Sequence, residues 1–452
     1  MQQGDRHIPN KVGKGFKKIL GNISWLFAER IFSMFISLFI NVLVIRYLGP
    51  KNLGQLSYAV SFVALVGVAA KLGLDGIVVR NIVQKQDSAP EILGTAFTLK
   101  FIASIITIAI TFILALLLNQ DIQINYLILI VALTTLFNSL EVIEFWFRSQ
   151  VIARPIVMIR TGILIFSSIA KLFLIQWKSS LELFAWLLLI ESVLTAIAML
   201  FVYKFSNQSI RKWKFSNIYA KDMLKDSFPL IFAAISVMIY VKIDQIMLAN
   251  MSTSSEVGNY AAAVRFSEIW YFVPMFVCAS IFPSIVRSKE RSVYEYQTRI
   301  KQLYDLMGWL SWIIVIFMSL IGTSAVKVLL GAEFDRAIPI LLLHIWATPF
   351  VFLGVARSQW LMAENLTSLS FKTSILGAIV NIVLNYFLIP VYGGVGAAIA
   401  TVISYAVQSH FSCILFKEMH QQFSSLVKAF FIPFRINQNL IYFNSAIKLF
   451  KT

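Results

Sequence analysis

The sequence predicts an all-α polytopic membrane protein: twelve transmembrane helices in two pseudo-symmetric six-helix lobes around a central cavity. Three observations carry this. Of 452 residues, 58% are hydrophobic and only 13% charged, about half the charged share of a soluble domain. Apolar runs long enough to cross a core of ~30 Å at ~1.5 Å per residue recur twelve times. A weak internal repeat relates the halves: Gly54, Leu56 and Val60 match Gly258, Tyr260 and Val264 at a constant spacing of 204 residues. Such repeats mark transporters built from two similar lobes.

The runs fall at roughly 22–46, 55–79, 93–118, 124–147, 156–176, 183–203, 227–249, 257–285, 303–329, 336–362, 370–389 and 394–416. The second is interrupted by Lys71 and Asp75, and the first pair turns through Gly49-Pro50. The longest connection, about 204–226, falls near the midpoint and divides an N-terminal lobe (1–210) from a C-terminal lobe (220–416). A tail, 417–452, contains LVKAFFIPF (Leu426–Phe434), too short to span and read as interfacial.

Lys and Arg set the expected orientation. Twenty-six lie in the N-tail, the C-tail and the alternate connections on one side, including Lys11, Lys85, Arg148, Lys212, Arg287 and Lys301. Five lie on the other: Arg46, Lys51, Lys178, Lys327 and Arg336. Both termini are therefore expected in the cytoplasm. Cysteine labelling should report the outside at residues 120, 253 and 333, and the inside at 85, 215 and 295. An inverted pattern at 215 or 295 would overturn both the orientation and the lobe division.

Several function classes lose support. The net charge of +17 suits loops beside anionic lipid better than nucleic acid. His7, His344, His410 and His420 are scattered, so no metal or other cofactor is expected. Cys278 and Cys413 lie in apolar runs and read as buried small residues. The polar, basic first 18 residues show no signal-peptide core. The run GGVGAA (Gly393–Ala398) has no preceding strand and reads as a tight turn between packed helices.

What remains is a set of charges inside apolar runs: Glu29, Arg30, Lys71, Asp75, Lys100, Glu141, Glu144 and Lys171, then Lys242, Asp244, Arg265, Glu268 and Arg357. Ionisable groups at membrane depth cost roughly 2.5–3.5 kcal/mol each on insertion scales and normally face a protein interior or wet cavity. Some spacings permit a local ion pair instead: Lys71/Asp75 and Glu144/Arg148 are four apart, Arg265/Glu268 three apart. Lys242 and Asp244, two apart, cannot pair within a helix. Arg30, Lys242 and Arg265 lie ~12–22 Å deep at helical rise. Cations at that depth in both lobes point to a cavity that attracts an anion, with Arg30, Lys71, Lys242, Arg265 and Arg357 as its candidates. The buried carboxylates Glu29, Asp75, Asp244 and Glu268 are candidates for coupling transport to a proton or sodium ion. Pro274, Pro283, Pro339 and Pro349 supply bends for helices that rearrange.

Over about residues 15–416 the chain resembles the O-antigen and capsule repeat-unit flippases of the multidrug/oligosaccharidyl-lipid/polysaccharide exporter superfamily. The residues that carry the resemblance are Asn22-Ile-Ser-Trp25 with Glu29-Arg30, Arg46-Tyr-Leu-Gly-Pro50 with Leu53-Gly54, and Leu72-Gly-Leu-Asp-Gly76 with Arg80. Lys242-Ile-Asp244, Val257-Gly-Asn-Tyr260 and Asn381 to Gly396 complete them. The resemblance implies two six-helix lobes around a cationic cavity and an undecaprenyl-pyrophosphate-linked oligosaccharide as substrate. That substrate would pass by alternating access from the inner to the outer leaflet of a bacterial cytoplasmic membrane. It also implies membrane lipids, a coupling ion, and polysaccharide polymerase and chain-length machinery as partners. A multidrug antiporter of the same superfamily would favour acidic cavity residues, whereas cations predominate here. A polysaccharide polymerase or ligase needs catalytic groups on a large outer loop, and the outer loops are short. A lipid II flippase carries additional C-terminal helices that LVKAFFIPF does not provide.

Overall fold

Helix α1 (Lys11–Gly67) has 57 residues, about 86 Å if straight, nearly three times an apolar membrane core. It bends at Gly49, whose φ of 68° is a conformation glycine adopts without penalty. Pro50 follows, its fixed φ suited to starting the next helical stretch. The computed structural model describes residues 11–118 and 121–442, with side chains at 29, 32–118 and 121–442; the side chain of Arg30 lies outside them. Among the described residues there is no strand. Among the described residues eleven helical stretches, against the twelve runs expected, are long and apolar enough to cross a membrane, the first being the bent α1 from Phe32. Apolar side chains such as Phe39, Leu117, Leu320 and Phe387 are exposed on them, a surface suited to lipid rather than water. The fold class and the multi-pass membrane reading of the sequence are thus met.

The second apolar run is broken, as expected, around Lys71 and Asp75. Helix ends at Gly67, a short 3-10 turn spans Ala69–Lys71, and α2 (Asp75–Gln84) starts anew. Leu72 and Gly73, both with positive φ, make the break. Then come α3 (Ala89–Leu118), α4 (Ile122–Asn138), α5 (Val142–Ser149), α6 (Arg154–Gln176), α7 (Leu181–Phe205) and α8 (Asn217–Met251). They are followed by α9 (Ser254–Glu268), α10 (Phe272–Arg291), α11 (Val293–Leu329), α12 (Ala337–His344), α13 (Thr348–Ala363), α14 (Thr367–Tyr392) and α15 (Gly394–Ala406). A π turn (Val407–Phe411), α16 (Ser412–Leu415) and α17 (His420–Phe430) close the order.

Among the described residues, contacts form two units: one runs up to Tyr47 and from Phe62 to Ile235, the other from Leu48 to Ser61 and from Ser236 onward. The division therefore falls inside α8, and the α1 stretch around Gly54 belongs with the second unit. In the first unit, Ile77 and Ile82 of α2, Leu93 of α3, Phe147 of α5 and Tyr203 of α7 build one core. The mid-chain connection is docked on it. Ser216 donates its N–H to the Thr95 hydroxyl at 3.0 Å, and Trp213 Nε1 donates to the Tyr203 hydroxyl at 3.2 Å. Gly94 lets Lys214 backbone approach so closely that a Cβ there would sit 2.6 Å from its nitrogen.

In the second unit the tail packs along α11. Gln422, Leu426 and Ala429 form the buried face of α17, at the four- and three-residue spacing of one helical side. Trp312 Nε1 donates to the Phe430 carbonyl at 2.7 Å. Beyond the turn at Ile432–Phe434, Asp305 accepts from Arg435 (3.0 Å) and Tyr442 (2.7 Å). Leu426, Ala429 and Ile432 of LVKAFFIPF are thus buried on the helix bundle, while Phe431 and Phe434 stay exposed.

Candidate functional site

Most intramembrane charges of the first unit are neutralised where they stand. Lys100, 2% exposed, donates to Glu141 at 3.1 Å and lies over the Phe145 ring. Glu144 accepts from both Arg148 (2.5 Å) and Arg160 (2.8 Å). Lys171 pairs with Glu191 at 3.2 Å. Glu29 is half-buried and accepts from Ser33 at 2.7 Å. Lys71 and Asp75 are exposed and form no ion pair among the described residues, because the break at Leu72-Gly73 destroys the helical geometry that a four-residue spacing needs.

The second unit is different. Asp244 of α8 is 3% exposed and is held entirely by neutral donors. Asn385 of α14 donates to Oδ1 at 2.6 Å. Tyr260 of α9 (2.7 Å) and Thr401 of α15 (2.6 Å) both donate to Oδ2. Behind them, Asn385 Nδ2 also donates to Asn381 Oδ1 at 3.0 Å, one turn away on α14. Asn385 Oδ1 and Asn381 Nδ2 have no partner among the described residues. Four helices therefore deliver a carboxylate, two hydroxyls and two side-chain amides to one buried place. A carboxylate without a cationic partner, surrounded by oxygens, can take a proton or a small hard cation.

Three further charges of this unit, Arg265, Lys242 and Glu268, act on one another without direct contact. Arg265, eleven residues into α9, is exposed, while Lys242 and Glu268 are half-buried. Glu268 lies in the fields of both cations and of Asp244, yet none of Arg265, Lys242 and Glu268 forms an ion pair among the described residues. The i, i+3 closure open to Arg265 and Glu268 is not made; α9 ends at Glu268 and passes into a 3-10 turn. Two cations thus keep their hydrogen-bond donors available. Arg357 does not. It is fully buried, and its NH1 donates to the Gln408 carbonyl (2.9 Å), the Ser409 carbonyl (3.1 Å) and the Ser412 hydroxyl (3.0 Å). Its NH2 donates to Thr373 at 3.2 Å. Those carbonyls belong to the π turn, whose wider spacing releases them, so the guanidinium pins α13 to the turn and to α14.

The internal repeat converges on a second feature. A Cβ on Gly54 would lie 1.7 Å from the Ser254 carbonyl oxygen, and a Cβ on Gly258 would lie 1.8 Å from the Pro50 carbonyl oxygen. Pro50 and Ser254 stand in the same 204-residue relation as Gly54 and Gly258. The contact is reciprocal, as across a two-fold axis, and its small residues let two backbones touch.

These features sit in a recognisable lineage. A family model described as "Polysaccharide biosynthesis protein" matches residues 19–289. The chain belongs to that family. The capsular polysaccharide biosynthesis protein CapF of Staphylococcus aureus is 22% identical over 392 residues, covering 85% of this chain and 95% of CapF. The "probable low-salt glycan biosynthesis flippase" Agl15 of Haloferax volcanii is 26% identical over 227 residues, 49% of this chain and 47% of that one. Among solved structures, lipid II flippase MurJ in an inward closed conformation superposes with a TM-score of 0.74 at 16% identity, covering 95% of this chain and 98% of MurJ. An inward-facing multidrug resistance MATE transporter of the MOP superfamily gives 0.68 at 14%, covering 87% and 96%. The chain accordingly has the two-lobe fold of that superfamily, and the resemblance read from its motifs to the repeat-unit flippases holds.

Sequence reasoning reached Asp244, Lys242, Arg265 and Glu268 but not the partners of Asp244. Tyr260 and Asn381 lay inside recognised motifs, and the Asn381/Asn385 spacing of four already puts two amides on one helical side.

Proposed function

We propose that this chain is a flippase for lipid-linked oligosaccharide repeat units of O-antigen, capsule or exopolysaccharide. It carries the glycan on undecaprenyl pyrophosphate from the inner to the outer leaflet of a bacterial cytoplasmic membrane, by alternating access and with both termini inside. The observation that carries this reading is the pair of cations, Arg265 and Lys242, that form no direct ion pair among the described residues, in apolar helices of a polysaccharide biosynthesis protein. A pyrophosphate is a multivalent anion, and a guanidinium fork holds two of its oxygens at once. No bond is made or broken, so no catalytic residue is assigned. The predominance of cations disfavours the multidrug antiporter reading. Asp244 is the proposed site for the coupling proton or sodium ion, with Glu268 beside it.

Arg265→Ala is expected to insert at normal levels and to fail to restore surface polysaccharide in a flippase-null host. Arg265→Lys should restore part of it, since the charge returns without the fork. Glu268→Gln should be milder than Arg265→Ala. Full export by Arg265→Ala, or its disappearance from the membrane, would remove the substrate-binding role.

A further inference from the structure

At the start of α11 lies a cavity of about 340 Å³ that the transport reading does not use. Its frame is fixed. Lys289 of α10 donates to the Ala363 carbonyl at 2.7 Å and to Glu364 at 2.9 Å, and lies 5.7 Å from the Tyr296 ring centroid. On the opposite wall, Gln422 of α17 accepts from Tyr304 at 2.9 Å. Burial pushes the Glu364 carboxyl up, but Tyr296 and the Lys289 ammonium outweigh it and hold the group below the usual range. It therefore stays ionised at neutral pH.

Three lining side chains are not part of that frame. Lys301, Gln297 and Gln421 line the cavity and form no side-chain hydrogen bond or ion pair among the described residues. They offer one ammonium and two amides, each amide both donor and acceptor. With Lys289 and Glu364 cancelling, the cavity carries one unmatched positive charge. Its complement is a monoanion that also bears hydroxyls. A phosphodiester of glycerol has that chemistry: one negative charge, with hydroxyls for the amides. The place agrees. The cavity lies where a membrane-crossing helix begins, in a stretch of sequence that also carries Arg287 and Arg291, and basic pockets at such a level recognise anionic head groups.

We propose that this cavity binds a glycerophosphodiester monoanion, with Lys301 on the phosphate and Gln297 and Gln421 on the hydroxyls. The source is either the head group of phosphatidylglycerol or a soluble glycerophosphodiester. The site is independent of the transport reading, and its test does not measure transport.

The full-length protein, delipidated in detergent, is melted against increasing phosphatidylglycerol, phosphatidylcholine or glycerophosphoglycerol. Phosphatidylglycerol is expected to raise the melting temperature saturably, and phosphatidylcholine is not. Lys301→Glu with Gln297→Leu, and separately Gln421→Leu on α17, should melt like the parent without lipid, since neither change removes an internal bond. The Lys301 variant should weaken half-saturation by about tenfold or more, the effect of losing a charge-assisted hydrogen bond, and Gln421→Leu by about two- to tenfold, that of losing a neutral one. A saturable shift with glycerophosphoglycerol alone identifies a soluble ligand; a shift only with the lipid identifies the membrane. Equal shifts with both lipids, no shift, or shifts unchanged in both variants would overturn the proposal.

Discussion

Alanine at Gly54 or at Gly258 should abolish surface polysaccharide export while the protein still reaches the membrane. A Cβ at either position would overlap a backbone carbonyl oxygen at 1.7 or 1.8 Å, and real Cβ atoms do not approach closer than 3.0 Å. The obstacle is backbone, so no rotamer relieves it, and the two helical turns must separate by more than 1 Å. Both substitutions break one reciprocal contact, so the double variant should be no worse than either single one. Gly162→Ala is the control. It sits inside α6 with nothing within 4 Å of its added Cβ, so it should be neutral or stabilise by roughly 0.5–1 kcal/mol. Export and membrane abundance, measured together, decide the matter. Normal export by either Gly54→Ala or Gly258→Ala would show that the contact is dispensable.

The all-helical membrane fold, the internal repeat and the position of Gly54 and Gly258 could be read from the sequence because each leaves a periodic trace. Apolar length records a crossing, and a constant spacing records a duplicated turn. Pairing leaves no such trace. Lys71 and Asp75 have ion-pair spacing, but a left-handed Leu72-Gly73 step between them ends the helix. Glu144 and Arg148 share the same spacing on unbroken α5 and do pair. Arg357 looks available until its partners arrive from a π turn about fifty residues later. A π turn has no composition that foretells it. The tail's packing was hidden for a different reason: an apolar run too short to span reads the same whether it faces lipid or another helix. Only α11, more than a hundred residues earlier, distinguishes the two.

Asp244→Asn should insert normally and lose export, whereas Asp244→Ala should also lose stability. The carboxylate accepts from Asn385, Tyr260 and Thr401 in a site that is 3% exposed. Alanine removes both acceptor oxygens at once. One N–H of Asn385 would then be buried without its acceptor, at about 1–3 kcal/mol, while its other N–H keeps Asn381 and the Tyr260 hydroxyl can turn to Thr401 at 3.1 Å. Thr401 is spared, because it also reaches the Ala397 carbonyl at 2.8 Å. Asparagine keeps the shape and one carbonyl oxygen, and the hydroxyls can turn to meet its amide, so the fold should survive. What asparagine cannot keep is the negative charge. With three neutral donors around it, that charge is the property that lets the site hold a proton or a sodium ion in exchange. The parent protein should therefore melt at a temperature that responds to sodium or to pH, and Asp244→Asn should lose that response along with export. Asn385→Ala offers a milder probe, removing one donor and one unpartnered oxygen while leaving the charge. If Asp244→Asn exports normally, the carboxylate is a structural acceptor and the coupling ion binds elsewhere.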